Sequence, residues 1–315
     1  MLKTTPLTEK KAIFFHNVTK ILGNNNVVDK LCLNINIGQV CALIGENGSG
    51  KTTILKLISG LVKHNSGEIE VLGGRNSSVF RQNVTFLLSD GRNLNWRLKA
   101  DENIDFCLTL RKNNKKSSID KVKRITRMLG LSDTEEKTVQ EMSRGMQQKL
   151  ALAIVLADDA PIVVLDEPTI GLDVKGINSL CEIIEEEKEK GKTFVVVSHD
   201  FKFVSSVSDM VCYIDKGKLK RQFLISEISE ILKSNQVEIL AKKEYRGKFN
   251  ASGIIPSNEF EDGMDRYIFK VKRFEDFKDV LNVIYSSDIK IDYLQFSEPN
   301  VDLITRELEK VMGRK

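Results

Sequence analysis

Long hydrophobic runs are missing from this 315-residue sequence. Its longest unbroken apolar stretch, Leu150 to Ala157, is eight residues, where a bilayer-spanning helix needs about 20. The N-terminal Met1-Leu-Lys-Thr-Thr-Pro-Leu-Thr-Glu-Lys-Lys holds no apolar core of the kind a signal peptide carries. The expectation is a chain that does not cross or enter a membrane by itself. An excess of one charge is missing too: 48 Lys and Arg against 44 Asp and Glu leave +4, too thin over this length to argue for nucleic acid. Cysteine is sparse. Cys32, Cys41, Cys107, Cys181 and Cys212 are odd in number, lack the C-x-x-C spacing of a metal scaffold, and read as buried thiols of a reducing cytosol. There is no repeat and no low-complexity tract. What is present, 41% hydrophobic and 29% charged residues, suits a globular chain with a real core.

From residue 12 to about 224, apolar strand-like runs alternate with helix-like segments. Val40-Cys-Ala-Leu-Ile-Gly, Val84-Thr-Phe-Leu-Leu, Ile162-Val-Val-Leu-Asp and Thr193-Phe-Val-Val-Val-Ser are apolar on both faces, as strands buried between helical layers are. The alternation predicts an α/β fold with a largely parallel sheet. Residues 90 to 160 read as helices, broken by Arg111-Lys-Asn-Asn-Lys-Lys-Ser-Ser118, which reads as a solvated loop. A second unit over 225–315 reads as a small α+β module: strand Val237–Ala241, loop Gly247–Gly263, strand Arg266–Val271, helix Phe274–Tyr285, strand Lys290–Phe296 and helix Val301–Met312.

Gly45-Glu46-Asn47-Gly48-Ser49-Gly50-Lys51-Thr52-Thr53 fits G-x-x-x-x-G-K-[ST], a phosphate-binding loop, with an apolar strand before it and a helical pattern (Thr53–Leu61) after it. Its glycines let successive backbone N–H groups turn towards phosphate oxygens, and the helix N-terminus adds partial positive charge. Lys51 is suited to the β- and γ-phosphates of ATP or GTP, and the Thr52 hydroxyl to Mg²⁺. Asp166 and Glu167 emerge where a buried strand ends, the position at which open α/β sheets bind ligands. Asp166 is suited to hold Mg²⁺ through water, and Glu167 to polarise an attacking water.

Between these motifs lies Glu141-Met142-Ser143-Arg144-Gly145-Met146-Gln147-Gln148, and here the chain resembles the ATP-binding-cassette (ABC) ATPases, whose signature is L-S-G-G-Q. Ser143 and Gly145 keep the pattern; Met142, Arg144 and Met146 depart from it, and the S-R-G-M form looks like a variant of ABC-2-type exporter cassettes. Pro168-Thr-Ile-Gly-Leu-Asp173 resembles the family's D-loop, and Val197-Ser198-His199 its switch histidine. The resemblance covers residues 12 to about 220.

It implies a P-loop NTPase cassette over 1–224, with a mainly parallel sheet, an antiparallel β edge and a helical subdomain at about 90–160, followed by an accessory α+β domain at 225–315. The implied activity is hydrolysis of ATP with Mg²⁺. Lys51, Glu167 and His199 would be the catalytic residues. Gly45 to Thr53 would hold the nucleotide, with Ser143 and Gly145 reaching the γ-phosphate of a partner cassette, and Thr52 and Asp166 would hold the metal. Where relatives carry an aromatic residue to stack on adenine, this sequence has only Leu22. Ser89 and Asp90 stand at the family's glutamine loop. Gly91-Arg92-Asn-Leu-Asn-Trp96-Arg97-Leu98-Lys-Ala-Asp-Glu102-Asn103 resembles the exporter-type stretch next to the groove that receives a membrane subunit. Trp96, the sole tryptophan, reads either as a contact to that subunit or as an anchor within the helices. Glu298-Pro299, with Asp302 following, is similar to a closing motif of ABC-2 exporter cassettes. The implied assembly is a homodimer (or paired cassette) with an integral membrane permease, at the cytoplasmic face of the cell membrane, without nucleic acid. A soluble ABC ATPase, or a cassette regulated by a ligand of its tail, is the alternative.

Overall fold

A long hairpin opens the fold. β1 (Lys11–Leu22) and β2 (Asn25–Asn36) pair antiparallel around a turn at Gly23 and make a three-stranded sheet with β4 (Ser66–Val71). Alternation does this: Phe15, Val18, Leu31, Leu33 and Ile35 are buried while His16, Asn17, Lys30, Cys32 and Asn34 face out. The computed structural model describes residues 10–75, 77–88, 94–111, 115–131, 137–228, 235–251, 258–259, 263–271, 278, 281–282, 284–286 and 288–297. Contacts divide the chain into two compact units, Met1–Glu227 and Ile228–Lys315.

The centre of the first unit is a six-stranded sheet of order β5-β6-β7-β3-β8-β9. Its members are β3 (Val40–Ile44), β5 (Val84–Leu87), β6 (Ile162–Asp166), β7 (Thr193–Val197), β8 (Met210–Asp215) and β9 (Lys218–Leu224). All neighbours run parallel except the closing β8–β9 hairpin. Every residue of β3, β6 and β7 is buried, as an apolar run without alternation requires. α1 (Lys51–Ile58) follows β3, and α2 (Ser77–Asn83) precedes β5. Because β6, β7 and β3 are adjacent and parallel, their C-terminal ends open onto one edge.

Helices α3 (Ala100–Arg111), α4 (Lys115–Met128) and α5 (Arg144–Ala157) form the helical part. The stretch 111–118 is a correction: Arg111 ends α3 and Lys115 begins α4, so five of the eight residues of the expected loop are helical, and 112–114 lie outside the described residues. α4 packs through Val122 and Ile125, both fully buried. Helix α6 (Val174–Glu189) follows β6, with Asp173 capping its first turn, and α7 (Phe201–Val207) follows β7. On α6, Glu187 is entirely buried. It is ringed by ammonium groups: Lys121 Nζ of α4 at 2.6 Å, Lys190 Nζ at 2.8 Å and Lys192 Nζ at 2.9 Å. Lys192 also donates to the carbonyls of Leu156 and Asp158 at the end of α5. The cluster thus fastens α4 and α5 to α6. Only Cys41 and Cys212 are buried among the cysteines, whereas Cys107 and Cys181 are half-buried and Cys32 is exposed. The expectation of five buried thiols is corrected accordingly: Cys32 faces outward because it falls on the alternating solvent side of β2.

The second unit is an antiparallel sheet of order β11-β12-β10-β13, made of β10 (Asn235–Lys242), β11 (Asn258–Glu259), β12 (Met264–Val271) and β13 (Ile291–Ser297). A short helix, Arg246–Ala251, and β11 occupy ground expected to be loop. The helix is held from outside itself. Phe249 stacks on Tyr267 at 3.9 Å between centroids, and Arg246 makes a two-pronged bond to the buried Asp265 at 2.8 and 2.6 Å. The Arg246 guanidinium holds the Asp265 carboxyl below its usual range. The expected helix Val301–Met312 and Glu298-Pro299 lie outside the described residues, as does Asp302. Among the described residues no helix is long and apolar enough to cross a membrane.

Candidate nucleotide site

The loop between β3 and α1 is shaped by its backbone. Gly50 is the N-cap of α1 at φ 102°, and a Cβ there would lie 2.4 Å from the Val27 carbonyl oxygen. Only glycine satisfies both the left-handed backbone and the close approach. The cap therefore has no side chain to take up the first-turn N–H groups, and the turn carries no acidic residue, which leaves the helix end suited to an anion. Lys51 folds back across the loop and donates to the carbonyls of Gly45 and Glu46, each at 2.7 Å, and to Ser49 Oγ at 3.4 Å. Burial holds its ammonium below the ordinary lysine pKa, against the pull of Glu167, Asp166 and Glu46.

The other wall comes from β6 and β7. Thr52 Oγ1 donates to Asp166 Oδ2 at 3.2 Å, so hydroxyl and carboxylate already meet as the hard oxygen donors that Mg²⁺ prefers. Among the described residues no group of three His, Cys, Asp or Glu gathers as a metal cage. A Mg²⁺ ion carried on phosphates needs only one or two protein oxygens.

Glu167 adopts φ 52°, an uncommon backbone for a non-glycine residue. Three contacts hold it there. Its N–H donates to the Val197 carbonyl at 2.8 Å, its Oε2 accepts from the His199 N–H at 3.1 Å, and its Oε1 lies 3.4 Å from His199 Nε2. Burial raises the Glu167 carboxyl pKa, with the His199 N–H and ring opposing. Beyond it, the hydroxyls of Thr169 and Ser198 are 3.3 Å apart, and Ser198 Oγ accepts from the Asp200 N–H. This second tie between the two loops carries no sequence signal, since serine and threonine are common in turns.

Together these groups line a cleft of about 470 Å³ that includes Asn47, Gly48, Thr53, Lys51, Thr52, Asp166, Glu167 and His199. The sequence did not single out Val27 and Ile170, which also border it. Six expected residues are not in its lining: Gly45, Glu46 and Ser49, which Lys51 ties into the loop, and Leu22, Ser143 and Gly145. Leu22, at the end of β1, is half-exposed, and Val27 on β2 takes the apolar place beside the loop. Ser143 and Gly145 lie at the start of α5, where Ser143 caps the helix by accepting from the Met146 N–H at 3.3 Å. α5 begins at Arg144, two residues ahead of the expected Met146. Ser89 to Asn93 are outside the described residues; Trp96, just after them, is 71% exposed, which removes the reading of a buried anchor.

A family model described as ABC transporter matches residues 28–170. The lantibiotic transport ATP-binding protein SrtF of Streptococcus pyogenes is 34% identical over 223 residues, which span 70% of this chain and 95% of that protein. The spermidine/putrescine import ATP-binding protein PotA of Bacteroides thetaiotaomicron is 31% identical over 68% of this chain, which spans 46% of PotA. Among solved structures, the dimeric post-hydrolysis state of the ATP-binding cassette MJ0796, bound to ADP and Pi, has TM-score 0.61 at 25% identity and covers 68% of this chain and 98% of that one. A phosphate loop, a paired Asp and Glu, and the matches to transport ATP-binding proteins converge on one family: this chain is an ABC transporter ATP-binding subunit, an ATPase.

Proposed function

We propose that the chain powers an ABC-2-type exporter: two copies close on ATP and Mg²⁺, drive a separate membrane subunit through one outward step, and reset by hydrolysis. In this reading Lys51 and the loop Gly45–Thr53 grip the phosphates, Thr52 and Asp166 hold Mg²⁺, and Glu167 orients and deprotonates the attacking water. His199 steadies Glu167 and meets the γ-phosphate. When bound, Mg²⁺ would neutralise charge on the phosphate oxygens. Burial raises the Glu167 carboxyl pKa, the direction a general base requires. The cassette would sit at the cytoplasmic face of the cell membrane, held there by its partner.

The single observation that carries the transport partner is Trp96. It stands exposed two residues after Leu94, which with Phe86, Cys107, Leu110, Ile154 and Val155 lines a groove of about 180 Å³. An exposed indole is the kind of side chain that anchors a partner. Export over import is supported by the stretch from Arg92 to Asn103 and by Ser143-Arg144-Gly145-Met146; the relatives' names include both transport of a lantibiotic and import of polyamines.

Trp96→Ala should leave the purified chain's ATPase rate within twofold of wild type and abolish its co-purification with a co-expressed multi-span subunit. Retention of the subunit would overturn the docking assignment. Glu167→Gln should bind ATP normally and turn over at least ~100-fold more slowly, the scale of one general base; near-normal turnover would remove Glu167 from that role. ATP-driven uptake of the cargo into inside-out vesicles carrying the complex tests direction, and uptake only into right-side-out vesicles would refute export.

A further inference from the structure

The loop that presents Trp96 is hydrogen-bonded to the segment that leads into Ser143. The residues before α3 meet those before α5 as a short antiparallel ladder. Gln140 N–H donates to the Trp96 carbonyl at 3.0 Å, Val139 N–H to the Leu98 carbonyl at 3.0 Å, and Ala100 N–H to the Lys137 carbonyl at 3.2 Å, with Lys99 opposite Thr138.

Two side-chain amides clamp this ladder from its two sides. Asn103 on α3 is fully buried. Its Oδ1 accepts from the Asn95 N–H at 2.8 Å, and its Nδ2 donates among the carbonyls of Asn95, Leu98 and Lys99 at 3.0, 3.2 and 3.1 Å. Gln147, one turn into α5, donates from Nε2 to the carbonyls of Val139 at 2.8 Å and Met142 at 3.1 Å, and its own N–H bonds the Ser143 carbonyl at 2.9 Å. The Leu98 carbonyl is the node between them, since it accepts from both Asn103 and Val139. The turn at 139–141 is closed independently, because the Glu141 carboxylate accepts from the Thr138 N–H and hydroxyl at 2.7 Å each. The segment is therefore tied to both helices by hydrogen bonds.

We propose that Asn103 and Gln147 are positioning residues that couple nucleotide capture at Ser143 to the orientation of the Trp96 loop, and so to the membrane subunit. An apolar replacement of either amide leaves the part-buried carbonyls it serves short of a donor. The linkage is reciprocal: a partner docked at Trp96 biases the seat of Ser143, and ATP held at Ser143 biases the face offered to the partner. The inference rests on the ATP-closed pair proposed above.

Trp96, the sole tryptophan, makes the test direct. In full-length chain carrying Glu167→Gln, acrylamide quenching of tryptophan fluorescence is measured with and without Mg-ATP, and light scattering of the same sample reports the dimer. ATP is expected to shift the quenching constant as the dimer forms. Added Gln147→Leu, or Asn103→Leu as the harsher second variant, is expected to abolish that shift while the dimer persists. A dimer with unchanged quenching overturns the coupling alone. A shift that survives both substitutions also overturns it, because Trp96 would then simply be covered in the dimer. Failure of ATP to produce any dimer refutes the pairing, and the coupling with it.

Discussion

Replacing Glu187 by Gln removes the buried anion that Lys121, Lys190 and Lys192 surround, of which only Lys192 is itself buried. Burial by itself would raise the Glu187 carboxyl; bonds from Lys121, Lys190 and Lys192 reverse this and bring it from an ordinary 4.5 to about 2. At about 1.4 kcal/mol per tenfold change, that fall favours the folded state by roughly 3 kcal/mol at neutral pH. Burial pushes the Lys192 ammonium down even beside its carboxylate. Without Glu187, Lys192 is left as a buried, unbalanced cation, a loss on the order of 3–5 kcal/mol in comparable cases. Because the folded carboxyl titrates below the unfolded one, its contribution is complete above about pH 4.5 and disappears as the pH falls towards 2. Urea unfolding followed by far-UV circular dichroism should show Glu187→Gln losing about 3 kcal/mol at pH 7. The difference from wild type should shrink steadily below pH 4.5. A variant within ~0.5 kcal/mol of wild type at pH 7 would mean that the cluster acts as an ordinary surface pair and does not hold α4 and α5 to α6. The paired replacement Glu187→Met with Lys192→Met should recover most of the loss, since it removes cation and anion together.

Gly50→Ala should abolish ATP binding in isothermal titration, because its Cβ would lie 2.4 Å from the Val27 carbonyl and its φ is 102°; unaltered affinity would show that the loop has room to shift. Asp200→Ala removes the cap of α7, whose carboxylate accepts from the Phe203 N–H at 2.9 Å. It should cost about 1 kcal/mol in denaturant unfolding, and a neutral result would assign the start of α7 to packing through Phe201 and Phe203.

The sheet and the cleft were legible in the sequence because both are encoded locally. Unbroken apolar runs such as Val40–Ile44 and Ile162–Leu165 have no place except between layers, and the glycines, Lys51 and Thr52 state their chemistry within a few residues. Features that depend on distant partners were not legible. Lys115 to Ser118 look like loop because lysines and serines dominate, and helix α4 is revealed only by Val122 and Ile125 packing inward. The helix Arg246–Ala251 lies in a glycine-bearing stretch that Phe249 and Arg246 organise through Tyr267 and Asp265. Glu187 stands in a run of three glutamates, and nothing in the run says which one points inward. Asn103 and Gln147 fall inside the motifs that carry the resemblance, but their bonds are not legible there, since an amide declares its partners only through the carbonyls around it.

The placement of Ser143 and Gly145 away from the cleft of their own chain is informative once their neighbours are considered. A Cβ on Gly145 would lie 2.9 Å from the Gly171 carbonyl oxygen, so the start of α5 and the loop after Glu167 touch through bare backbone. Two residues before Gly171, Thr169 meets Ser198, which precedes His199, and His199 in turn holds Glu167. On the proposed pairing, Ser143 and Gly145 meet the γ-phosphate held by the partner copy, while Glu167 and His199 serve the chain's own nucleotide. The same contact that seats one nucleotide therefore presses on the residues that prepare the other. Two hydrolytic sites joined this way have a physical reason to act together, and the reason lies in two glycines whose lack of side chains lets the two loops share one position.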